Sequence, residues 1–214
     1  MLHTVISTNR SGSNVLCRYI AKKFNAVNLY EPVTDSRDKN SCLTIGIDKI
    51  IYDLIDRSTK EDVVAKFHID HLLLLYPNNS KAIVDLLKAS KKYYSLRSSL
   101  AQQIISIHAI NNTDACDIRS EKMDFLITGE NARDIAVPLI FYISVMGEWY
   151  KQFPGKLVIL EDMSVAYATE GFEKYSDVYK FKFDNEQTRK FVEQSLNANE
   201  YFIQGNKFFS LIGD

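Results

Sequence analysis

Residues 4–7, Thr-Val-Ile-Ser, carry a strand pattern that breaks into the small polar turn Asn9-Arg10-Ser11-Gly12-Ser13; apolar residues then resume at helical spacing with Val15, Leu16, Tyr19, Ile20 and Phe24. A strand that hands over to a helix through a short turn needs a neighbouring strand and a sheet face to pack on. The same succession recurs along the chain. Residues 27–30 predict a second strand ending at Glu31-Pro32, residues 45–55 an amphipathic helix, and residues 62–68 a strand built on Val63, Val64 and Phe67. Residues 80–89 predict a helix, 92–96 a strand that runs straight into Arg97, and 99–110 a further helix. Residues 131–153 predict the longest helix, with Pro138 early and Gly147 late; residues 156–160 follow as a strand and 185–196 as a helix. Residues 32–41 and 111–124 read as loops. This alternation predicts an α/β fold with a mainly parallel central sheet flanked by helices, as a single domain over residues 1–214. In such sheets ligands bind where the loops leave the carboxyl ends of the strands.

Composition narrows the classes of function. The formal net charge is −1, so no global positive field draws nucleic acid or anionic lipid, and any anion site must be built locally. Cys17, Cys42 and Cys116 are an odd, scattered set, which argues against a disulfide framework and for a reducing, cytoplasmic setting. The chain has no CxxC pair and no His/Cys cluster, and His68 and His71 lack a third ligand candidate, so no metal is expected. The apolar pair Val5-Ile6 stops at once in polar residues, which reads against a signal peptide, and without one the sequons at Asn78 and Asn111 carry no meaning. The longest apolar stretch, residues 135–145, is too short to span a bilayer and reads as a buried helix.

Two strings carry candidate chemistry. In Arg10-Ser11-Gly12-Ser13-Asn14, small residues let the backbone come close and aim successive N–H groups at one point, while the following helix adds positive potential. Arg10 supplies a planar fork for an oxyanion, and Ser13 and Asn14 are good helix caps. An ordinary capped turn with a surface arginine is the competing reading. The string is not a Walker A loop, since no lysine follows the glycine. The second string starts at Arg97, at the end of a strand. On the next helix Ser99, Gln102, Gln103 and Ser106 share a polar face opposite the apolar stripe Leu100, Ile104 and Ile107. Arg97 and Ser106 suit a second anion; an exposed helix face with an N-cap serine fits the same spacing.

Together the two strings resemble the sulfotransferases that use 3′-phosphoadenosine-5′-phosphosulfate (PAPS), over roughly residues 2–165. The bacterial trehalose-sulfotransferase branch is the most similar, through the Arg10-Ser11-Gly12-Ser13 loop, Glu31-Pro32, Lys66 on a strand, Gln103 to Ser106, and a late strand ending in Glu161-Asp162. The resemblance implies a P-loop-NTPase-like three-layer fold. It implies PAPS bound by Arg10, Ser11, Gly12, Ser13 and Asn14 at its 5′-phosphosulfate and by Arg97 and Ser106 at its 3′-phosphate. It also implies 3′,5′-ADP as product without metal, a carbohydrate, glycolipid or small-metabolite hydroxyl as acceptor, and a homodimer.

This chain departs from the pattern at Asn14, where the family usually has threonine, and at Thr34, where that branch places a glutamate taken as the base. That leaves the base open: Glu31 is the first choice, against Asp35 or another residue. Glu31, near the anion loop, reads as the catalytic base alongside Arg10, or as an acceptor that orients substrate, or as a surface carboxylate. Lys66 and His68 share one face of their strand, which is either the site or a strand end. His108 reads as a core or interface histidine, and the aromatics Phe141, Tyr142, Trp149, Tyr150 and Phe153 read as core rather than as a substrate platform. Two other functions remain open: a nucleotide-binding module without transferase activity, and a phosphate-ester or nucleotide enzyme with a degenerate loop.

Overall fold

A computed structural model of the chain describes residues 1–33, 46–111, 124–163, 180–194 and 197–204. Thr34 and Asp35, Cys42 and Cys116, most of the two expected loops, the end of the last expected helix, and the tail beyond residue 204 lie outside them.

All six residues of β1 (Leu2–Ser7) and of β3 (Val63–His68) are buried. That is the signature of strands with neighbours on both edges and helices on both faces. β1 lies parallel to β3 on one side and to β4 (Ser90–Leu96) on the other. With β2 (Val27–Asn28) and β6 (Lys156–Ile159), the sheet runs β2-β3-β1-β4-β6, parallel throughout.

Strand alternation divides the core. On one face Leu2, Ile6, Ala65, Phe67, Tyr94 and Leu96 pack with α2 (Ile47–Arg57), α3 (Ile69–Ala89), α4 (Leu100–Asn111) and α5 (Gly129–Gln152). On the other, Val5, Val64 and Tyr93 meet Leu16, Cys17 and Ile20 of α1 (Ser13–Phe24). Lys66, His68 and Ser7 share the parity of Val64 and Val5, so they lie on the α1 face at the carboxyl ends of their strands.

Several expected boundaries move. β2 is shorter than residues 27–30 because Tyr30 takes a left-handed conformation (φ 50°), with its N–H donating to the Asn28 side chain at 3.0 Å. α3 begins at Ile69 rather than Ser80: it continues through Pro77 and kinks at Asn79, whose side chain donates to the Leu75 carbonyl at 3.1 Å. A second, two-stranded parallel sheet joins β5 (Asp124–Ile127) to β7 (Lys180–Phe183), and neither strand is expected from the sequence. α6 (Glu186–Glu193) is capped by Asn185, and α7 (Ala198–Ile203) crosses α5 so closely that a Cβ on Gly147 would lie 2.0 Å from the Phe202 carbonyl oxygen. His108 is buried with Nε2 on the Leu126 carbonyl, and the α5 aromatics pack at the core margin, as their spacing predicts. Among the described residues, no helix is long and apolar enough to cross a membrane.

Candidate functional site

The loop from β1 to α1 alternates handedness: Arg10 and Gly12 both have positive φ, at 61° and 80°. Gly12, not Ser13 or Asn14, is the N-cap of α1, and no side chain among the described residues caps that end; Ser13 and Asn14 are already helical. The first amides of α1 therefore have no capping side-chain oxygen among the described residues. Glycine is required here twice over. Its φ strains any other residue, and a Cβ would lie 2.4 Å from Leu160 Cδ1.

The loop is pinned from one strand and one helix. Ser95, on β4, donates to the Ser11 carbonyl at 3.1 Å, and the Ser11 hydroxyl approaches the Ser95 hydroxyl at 3.5 Å. The amide of Gln103, on α4, donates to Thr8 Oγ1 at 2.8 Å and to the Asn9 carbonyl at 2.5 Å. One turn along α4, Ser106 Oγ accepts from Arg10 Nε at 3.0 Å. The polar face of α4 is divided: Gln103 and Ser106 are buried against the loop, while Gln102 is exposed. Ser99 caps the helix, accepting from the Gln102 N–H.

Arg97 lies at the carboxyl end of β4, beside this loop. It is buried; Nε donates to Glu161 Oε1 at 3.3 Å and Nη2 to Gln102 Oε1 at 3.1 Å. The other oxygen of Glu161 accepts the Ser98 N–H at 2.8 Å. The sequence reading couples Arg97 with Ser106; here Ser106 lies against Arg10, while Arg97 is engaged by Glu161 and Gln102. The two strings still converge. Gln103 and Ser106 of the second hold Thr8, Asn9 and Arg10 of the first, and the turn carrying Glu161 also carries Leu160, which packs on Gly12.

Glu31 forms the opposite corner. The left-handed turn at Tyr30 carries the chain across β3, where Lys66 N–H donates to the Tyr30 carbonyl at 2.6 Å. The Glu31 carboxylate pairs with Lys66 Nζ and accepts from His68 Nε2 at 3.1 Å. A carboxylate only accepts, so the network assigns the His68 proton to Nε2 and lets Nδ1 accept from Ser7 Oγ at 3.3 Å. Lys66 Nζ also donates to Asn14 Oδ1 at 2.6 Å, which links this corner to the first turn of α1. The His68 hydrogen bond first, then Lys66, outweigh burial and hold Glu31 far below the usual carboxylate range. Glu31 is therefore ionised at any physiological pH and is a weak proton acceptor.

The sequence singles out Arg10, Ser11, Gly12, Ser13, Asn14, Glu31, Arg97 and Ser106, and all lie at or beside the carboxyl ends of β1, β3 and β4. It misses Ser7 and Ser95, and gives no role to the Gln103 clamp or the Glu161 contact. A serine near the carboxyl end of each strand, Ser7 in β1 and Ser95 in β4, was the available signal. No family model and no curated protein matches the chain.

Proposed function

We propose that the chain is a PAPS-dependent sulfotransferase of P-loop-like fold, acting on a carbohydrate, glycolipid or small-metabolite hydroxyl. The observation that carries this reading is the contact of Arg10 Nε with Ser106 Oγ, which joins two anion-suited strings remote in sequence into one surface. In this reading the amides of residues 11–14 and Arg10 hold the 5′-phosphosulfate, and Arg97 with Ser106 holds the 3′-phosphate.

The acceptor oxygen attacks sulfur in line, the bond from sulfur to the 5′-phosphate oxygen breaks, and the acceptor proton is released. The products are a sulfate ester and 3′,5′-ADP. As in phosphoryl transfer, catalysis rests on positioning and charge stabilisation. Arg10 and the loop amides stabilise charge on the leaving oxygen. Lys66 lies one hydrogen bond from Asn14 and adds positive charge beside the transferred group. Glu31 accepts the hydroxyl's hydrogen bond and, as a weak base, takes its proton only late, once the bond to sulfur has made that oxygen strongly acidic. The sulfuryl group carries less charge than a γ-phosphoryl group, so arginine, lysine and amides suffice in this reading.

One observation favours a second reading, nucleotide binding without transfer: the hold of Lys66 and His68 on Glu31 makes it a poor base. Incubation with radiolabelled PAPS and a pool of hydroxylated acceptors separates the two. Transfer is expected, falling about 10²–10³-fold in Arg10→Ala, the loss typical of one oxyanion donor. Binding of 3′,5′-ADP without transfer would establish the second reading, and selective binding of ATP with Mg²⁺ would point to a phosphate-ester enzyme instead.

A further inference from the structure

We infer that Glu161 is a placeholder anion: its carboxylate occupies donors that receive the nucleotide's 3′-phosphate, so that a terminal phosphate monoester must displace it to bind. This rests on the nucleotide reading above and sharpens it.

Two donors of different kinds converge on one carboxylate. Arg97 Nε reaches Oε1 at 3.3 Å and the Ser98 backbone N–H reaches Oε2 at 2.8 Å. A guanidinium and a backbone amide closing on two oxygens of one acid is the arrangement that holds any oxyanion. A phosphate presents similar oxygens with more charge. The partners differ in freedom. The Arg97 side chain is 10% exposed and is also tied to Gln102, whereas the Glu161 side chain is 33% exposed on a short 3₁₀ turn, Leu160–Asp162. The cation is fixed and the anion can swing into water, so exchange of one anion for another leaves the buried guanidinium paired throughout. That avoids the cost of an uncompensated buried charge.

Which ligand displaces Glu161 follows from charge. A ribose 3′-hydroxyl is neutral and cannot replace a carboxylate on Arg97, so a nucleotide lacking the 3′-phosphate leaves Glu161 in place. A phosphate monoester carries a larger charge and competes. The same turn packs Leu160 on Gly12, so displacement of Glu161 acts on a segment that touches the anion loop.

Calorimetric titration of the full chain with 3′,5′-ADP and with 5′-AMP tests this in wild type and in Glu161→Gln, with unfolding midpoints read alongside. Glu161→Gln should bind 3′,5′-ADP about tenfold more tightly, the worth of one charge-assisted hydrogen bond no longer contested, and 5′-AMP unchanged. Unchanged or weaker 3′,5′-ADP binding would overturn the inference and make Glu161 a brace for Arg97. If Glu161→Gln does not fold, Glu161→Asp, whose shorter side chain withdraws from Arg97, should show the same gain, and its absence would overturn the inference equally. A wild type that does not distinguish the two nucleotides defeats the nucleotide reading itself, and this inference with it.

Discussion

Two carboxylates flank the loop after β1, and each is paired with a cation from the end of a strand. Glu31 is held by Lys66, by His68 and, through them, by Asn14 and Ser7, and Lys66 is only 3% exposed. Glu161 contacts Arg97 and one backbone amide, with a third of its side chain in water. The first is a closed network; the second is a contact that a competing anion can open. Burial and the number of partners, rather than charge, separate a carboxylate that organises a site from one that guards it.

The largest effect expected from breaking this contrast is on stability. Glu31→Ala strands the buried Lys66 ammonium and should cost about 3 kcal/mol, as loss of one partner from a buried pair does. Glu161→Ala should cost clearly less, because its carboxylate is partly solvated. Urea unfolding of the two variants measures this, and equal losses would erase the distinction.

Next in size is the anion loop. Gly12→Ala forces a side chain into a left-handed position and onto Leu160, and should cost about 1–3 kcal/mol. It should also weaken 3′,5′-ADP binding. Gly147→Ala, which presses on α7 away from the loop, should destabilise the fold without changing nucleotide preference. Unfolding and titration on both variants tell a site effect from a packing effect.

The smallest expected effect sharpens the Glu31 corner. Its carboxyl is held below its ordinary value of 4.5, so its contribution is fully present above that pH and is lost as pH falls toward the depressed folded-state value. Wild type should therefore lose stability below about pH 4.5 more steeply than Glu31→Gln. Parallel acid limbs would show that Glu31 is not held as described.

Much of the frame was legible in the sequence because strand and helix periods changed within single short segments. The β1–α1 unit, the strands at β3 and β4, and the shared face of Lys66 and His68 all follow from spacing alone. The pairing of β5 with β7 did not, because it joins two four-residue strands remote in sequence. The start of α3 was hidden by Pro77 and two asparagines, which read as a break where the helix kinks and continues. At the site, spacing placed Gln103 and Ser106 on one face but not what that face meets. That they grip residues 8–10, and that Arg97 turns to Glu161, depends on strand order and side-chain rotamers, which no periodicity encodes.

One nucleotide reaching from the β1–α1 loop to Arg97 is the claim on which the proposed function rests. Titration of wild type and Arg97→Ala with 3′,5′-ADP and 5′-AMP tests it directly. Wild type should prefer 3′,5′-ADP by about tenfold or more, and Arg97→Ala should lose that preference while keeping its affinity for 5′-AMP. Equal affinities in wild type, or a preference that survives Arg97→Ala, would contradict it.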